Sequence, residues 1–210
     1  MIQLQTLDVI AGLQPEDEQE PEKKMKVVSS PELDEILSTY DRIVEEGKRG
    51  YGVLIPRCAS TVYSAPVITK ASIALAQAGA TGYVTEFLSS LINASADPEH
   101  LLFTSAYKVP LHDVGIYISE GKIVRIYGPT GNSLGYRNEG IIIAFGATGG
   151  FLGIANRGVV ISHGVTGTDV GFRNDGIVMV YGPKPDITNH GGEGDIYHNG
   201  TLIVKDGILL

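Results

Sequence analysis

The densest run of side chains with chemistry in this 210-residue chain lies between His190 and His198. It holds His190, Glu193, Asp195 and His198, and His163 stands one repeat earlier. Imidazoles and carboxylates at this density are the donor types of a divalent metal site. Their spacing matches neither a helical nor a strand ligand pair, and glycine-rich loops carry polar residues in any case. The sequence therefore poses a metal site at these five residues against the plainer expectation of no cofactor. Cys58, in Arg57-Cys-Ala-Ser-Thr61, is the single thiol. A nucleophilic cysteine needs a nearby base and a lowered pKa; none is visible, and a free cysteine commonly packs as a small hydrophobe. The glycine triplets described next are followed by no Lys and open no helix, so neither a P-loop nor a dinucleotide fingerprint is present.

These residues must be positioned by a repeat spanning Gly121 to Gly182. Its lines read Gly128-Pro-Thr-Gly-Asn-Ser-Leu-Gly135, Gly146-Ala-Thr-Gly-Gly-Phe-Leu-Gly153 and Gly164-Val-Thr-Gly-Thr-Asp-Val-Gly171, beginning at evenly spaced positions. An apolar run precedes each corner: Ile123 to Tyr127, Ile141 to Phe145, Val159 to His163, and Ile177 to Tyr181 before Gly182. A fixed short period marks a solenoid. A unit of about 18 residues is too short for two helices and fits one coil of a β-helix, with equivalent residues about 4.8 Å apart.

The columns agree with that geometry. Val124, Ile142, Val160 and Val178 are β-branched, as a pleated surface prefers. Thr130, Thr148 and Thr166 form a column whose hydroxyls are expected to bond along the ladder. Asn138, Asn156 and Asn174 recur two residues before a glycine, where an amide bonds its own backbone or its stacked copy. Both faces of the apolar runs are hydrophobic, so one face fills the solenoid and the other needs a cover. The N-terminal half or another subunit is expected to supply it. Two residues break the columns: Arg125, where Ile143, Ile161 and Met179 stand, and His163, where Tyr127, Phe145 and Tyr181 stand. Each reads as an end-coil or rim residue, or else as the mark of a contact.

The triple Gly-x-x-Gly-x-x-x-Gly over Gly128 to Gly182 resembles the GXGXG domain, which closes the large subunit of glutamate synthase and forms most of one subunit of formylmethanofuran dehydrogenase. The resemblance implies a right-handed β-helix with a structural role and no catalytic residues of its own. Here Asn-x-Gly stands where that family carries a Met and a paired glycine. A left-handed hexapeptide solenoid is the alternative, since Val124, Thr130, Tyr136, Ile142 and Thr148 are spaced by six; Tyr136 and Phe172 suit it poorly. A hexapeptide solenoid holding zinc through three His would resemble the γ-class carbonic anhydrases, with His163, His190 and His198 as the ligands.

The expected architecture is mainly β. A β-solenoid occupies 114–210, C-terminal to a small α+β region at 27–113, with a flexible acidic segment at 1–26. Met1 to Leu13 has apolar residues at roughly helical spacing, and Gln14 to Lys24 reads as a linker. Ser30 as N-cap, Pro31, Glu32 and Asp34 open a helix that Gly47 closes. Gly52 to Pro56 is an expected strand, Val67 to Ala78 and Thr81 to Ala94 are helices, and Leu101 to Tyr107 and Val114 to Ile118 are strands. The helical region is expected to lie on the solenoid's second apolar face. After Gly182 the pattern predicts an insertion that breaks the period, which resumes at Leu202 to Val204.

A net charge of −8 disfavours nucleic acid and anionic membrane as partners. One cysteine permits no internal disulfide. No uninterrupted apolar run of about 18 residues is present, and the N-terminus lacks a basic start, so a cytoplasmic location is expected. Three functions compete. The first is a structural subunit that forms homo-oligomers or packs on partner subunits. The second is a metal-dependent enzyme at His163, His190 and His198. The third is a trimeric viral or surface fibre part.

Overall fold

The computed structural model describes residues 27–47, 61–81 and 83–210. Gly52 to Pro56, Cys58 and the segment before Val27 lie outside these. Among the described residues three helices precede eight strands of one sheet, ordered as in the chain. Helix α1 is Pro31–Glu46, α2 Ala65–Gln77 and α3 Val84–Ala94. The strands are β1 Glu99–Phe103, β2 Ile123–Tyr127, β3 Ile141–Ala144, β4 Val159–Ser162, β5 Ile177–Val180, β6 Asp195–His198, β7 Thr201–Lys205 and β8 Ile208–Leu209.

The chain is a β-solenoid. Strands β2 to β6 pair in parallel in one unshifted register, from Ile123↔Ile141 to Ile177↔Asp195, so these coils are all of equal length. Val124, Ile142, Val160, Val178 and Ile196 point into one buried column. The expected insertion after Gly182 is therefore a regular coil. Asp195, Tyr197 and His198 hide β6 by breaking the apolar run, while Ile196 keeps the inner column. The resumed pattern at Leu202 to Val204 is instead β7, which turns back antiparallel on β6 and, with β8, closes that end of the sheet.

The irregular coil lies at the other end. Strand β1 pairs with β2 as Glu99↔Ile123, across a longer stretch of chain than any later coil, because a 3₁₀ turn at Thr104–Ala106 extends it. The sheet thus begins at Glu99, inside the region read as α+β. The strand expected at Val114 to Ile118 is not formed. Asp113, Gly115 and Tyr117 take positive φ, as Ser133, Gly135 and Arg137 do in the next coil. In that coil Tyr136 N–H bonds Ser133 O and Asn138 N–H bonds Gly135 O. These are two tandem turns with positive φ at their third residue, the type II pattern.

Stacking explains the glycines. A Cβ on Gly164 would collide with Gly146 O, so the column needs bare backbone for coils to touch. The asparagines do both things expected of them. Asn138 Nδ2 donates to Asn156 Oδ1 and Asn156 Nδ2 to Asn174 Oδ1, each 2.9 Å. Gly140, Gly158 and Gly176 donate their N–H to the side-chain oxygens of Asn138, Asn156 and Asn174. The threonine ladder does not form, since the buried hydroxyls of Thr130 and Thr148 have no partner.

The helices follow their sequence signals. Ser30 Oγ accepts the Leu33 N–H, and Gly47 ends α1 at φ 58. Asp97 caps α2 by accepting the Ala65 N–H at 2.6 Å. Their placement meets expectation only at the start of the sheet, where Ile73 of α2 packs on the outward rings of Phe103 and Tyr127. Ile36, Ile68, Phe87 and Leu91 join one core cluster with the inner column Val124, Ile142 and Val160. The helices plug the open end of the solenoid, and Thr69 Oγ1 donates to Leu101 O on β1. An end coil exposes its core in cross-section, so plugging it buries more apolar surface than lying on a sheet face. Among the described residues no helix is long and apolar enough to cross a membrane.

Candidate functional site

The outer face of the sheet is the second apolar surface. Ile143, Val159, Ile161 and Met179 form a cluster separate from the main core. Its centre is buried, with Ile143 at 0% exposure, and its margin of Ile141, Phe145, Ile177, Tyr181 and Tyr197 is half-buried. Alternation along each strand creates this face, because residues 141, 143 and 145 point opposite to 142 and 144.

Along one border runs a column of rings. Phe103, Tyr127, Phe145, His163 and Tyr181 stack at centroid separations of 5.1 to 5.3 Å. His163 lies nearly parallel to both neighbours, at 4° to Phe145 and 13° to Tyr181. Burial lowers its pKa, since the stack disfavours the charged imidazolium. Its place is that of an aromatic ring in a column. Arg125, the other column-breaker, pairs with Glu99 of β1, so it does not lie on an end coil.

The remaining candidate ligands are held apart. His198 lies on the inner-facing register of β6, aligned with Val180, so His163 and His198 point to opposite faces of the sheet. His198 Nε2 bonds Gly182 O at 2.8 Å. The imidazole of His190 bonds Ile187 O through Nδ1 at 2.7 Å. Asp195 Oδ1 accepts the Asp206 N–H, and the exposed Glu193 donates its own N–H to Asp175 Oδ1. Among the described residues no three His, Cys, Asp or Glu side chains are grouped to hold a metal ion.

Two other sets of titratable groups escape the sequence pattern. His100 is wholly buried on β1, opposite Val124, with Nε2 on Asp97 O at 2.9 Å; burial lowers its pKa. A cleft of about 660 Å³ between α3 and the first coils gathers Glu86, His112 and Asp113. Burial, followed by the charge of Glu86, raises the Asp113 pKa, against a hydrogen bond from Ser133. His112 Nδ1 accepts the Asn132 N–H at 3.0 Å, which leaves its proton on Nε2. The one signal in the sequence was an adjacent His-Asp at the first corner, hidden because that coil departs from the common period.

Comparison with family models, with curated proteins and with solved structures finds no match.

Proposed function

We propose that this chain is a non-catalytic assembly subunit whose GXGXG-like solenoid packs side by side on a partner subunit through the outer face of its sheet. The observation that carries the reading is the half-buried margin of the outer apolar cluster, Phe145, Ile177 and Tyr181, around a centre of Ile143 and Ile161 that is already buried within the chain. Burying such a margin in an interface is favourable by about 25 cal/mol per Å² of apolar surface. The closed ends support lateral contact. Among the described residues helices α1 to α3 plug one end of the core, and the β7–β8 hairpin covers the other with Val204 in the core, leaving Ile208 and Leu209 exposed on its edge strand. The scattered positions of His163, His190 and His198 favour assembly over metal chemistry.

The test is the mass of the purified protein by light scattering on a sizing column, with elemental analysis of the same peak. The reading expects a metal-free particle heavier than one 22.3 kDa chain, or one that resolves only with a co-purifying subunit. The margin variant Tyr181→Glu should shift the mass toward one chain without changing the circular dichroism.

A further inference from the structure

The outward centre of the sheet is buried more deeply than its described neighbours account for. Ile143 and Val159 are at 0% exposure and Ile161 at 1%, although all three point away from the solenoid core. Every described member of their cluster lies on β2 to β6 or directly follows one of those strands. A sheet face with nothing over it leaves the tops of its side chains in water, so burial this complete needs a covering layer. The side chains beneath it are aliphatic, so the cover must be apolar too.

Two stretches outside the described residues are long enough to supply it, and their flanks separate them. The stretch 48–60 leaves and rejoins the plugged end: Gly47 ends α1, and Thr61 Oγ1 donates to Glu35 Oε1 of the same helix at 3.3 Å. The stretch before Val27 leads to the outer face itself, since Val27 packs with Ile73 on the outward rings of Phe103 and Tyr127. Its sequence has an apolar part, with Ile2, Leu4, Leu7, Ile10 and Leu13 at roughly helical spacing, and an acidic part, Gln14 to Lys24, without a large apolar side chain. Only the first matches an apolar face. The dimensions agree. As a helix, Ile2 to Leu13 measures about 18 Å, and β2 to β6 span four strand spacings, about 19 Å. The chain between Leu13 and Val27 reaches up to about 45 Å, enough to lay that helix anywhere on the face.

We infer that Met1 to Leu13 docks on the outer sheet face of its own chain, lying across β2 to β6 over Ile143, Val159, Ile161 and Met179. It leaves the margin of Phe145, Ile177 and Tyr181 to the partner subunit, so it does not depend on that assembly. The test grows the full chain with photo-methionine at Met1, Met25 and Met179, irradiates it, and maps the cross-links by mass spectrometry in the band that stays one chain long on a denaturing gel. A link from Met179 to a residue between Ile2 and Leu13 is expected. Leu7→Asp with Ile10→Asp should lower its yield about tenfold with circular dichroism unchanged, because an unpaired charge resists burial. A Met179 link to 48–60, links to Met1 to Leu13 only between copies, no link from Met179 beyond the sheet, or an undiminished yield in the double variant would each overturn the assignment. The one-chain band is read whether or not chains assemble, so failure of the interface leaves this result standing.

Discussion

The two faces of the parallel strands β1 to β6 differ more than their shared residue types suggest. On the inner face Val124, Ile142, Val160, Val178 and Ile196 repeat one β-branched shape and are all buried. Beside them the asparagine ladder satisfies its own coil and the next. On the outer face the burial is graded, and the ring column admits a histidine between Phe145 and Tyr181. A column that must close a core tolerates one shape. A half-buried margin tolerates substitution, as His163 shows.

The largest effect is expected in the ladder. Replacing Asn156→Leu strands the Gly158 N–H and leaves the Gly158 and Ile177 carbonyls without its amide. At about 1–3 kcal/mol for each buried group left unmade, chemical denaturation should register a loss of about 4 kcal/mol. Next, Ile142→Ala on the inner face should cost about 3 kcal/mol. The outer-margin change Ile177→Ala should cost about 1 kcal/mol in the dissociated chain and show its main effect in oligomer mass. Equal losses at the two positions would remove the distinction between faces.

A smaller effect of opposite sign is expected at the corner. Ala155 sits at φ 49, where a side chain is strained by about 1–2 kcal/mol. Part of that strain is offset by the greater unfolded entropy of glycine, so Ala155→Gly should stabilise by about 0.5 kcal/mol in the same denaturation experiment.

The smallest effect is a pH dependence. Burial lowers the pKa of His163 and His100 below the ordinary imidazole value of 6.5, so the unfolded chain binds more protons there than the folded one. Stability should be intact above that value and decline as pH falls below it. His163→Phe keeps the stacked ring and should flatten part of the decline, read as the thermal midpoint between pH 7 and pH 5.

The period made the fold legible, because each coil repeats the same contacts and the columns of Val, Asn and Gly announce it. Helix α1 was equally legible through Ser30, Pro31 and Gly47. What the sequence hid lay where the period was disguised. Strand β6 has one apolar inward residue, Ile196, between Asp195 and Tyr197, and so it reads as loop. Without that strand the parity placing His198 opposite His163 was out of reach, and scattered side chains read as a cluster of ligands. The first coil, longer than the rest, concealed both the true start of the sheet and the cleft at Asp113. The end-plugging position of the helices follows from three-dimensional closure, which no local pattern encodes.

Whether the outer face is an interface can be read from two light-scattering masses, that of the wild-type chain and that of Tyr181→Glu. The wild type should run at a multiple of 22.3 kDa, or in a complex with a partner, and fall toward one chain in the variant. A wild-type protein that runs as a clean, soluble single chain would contradict it.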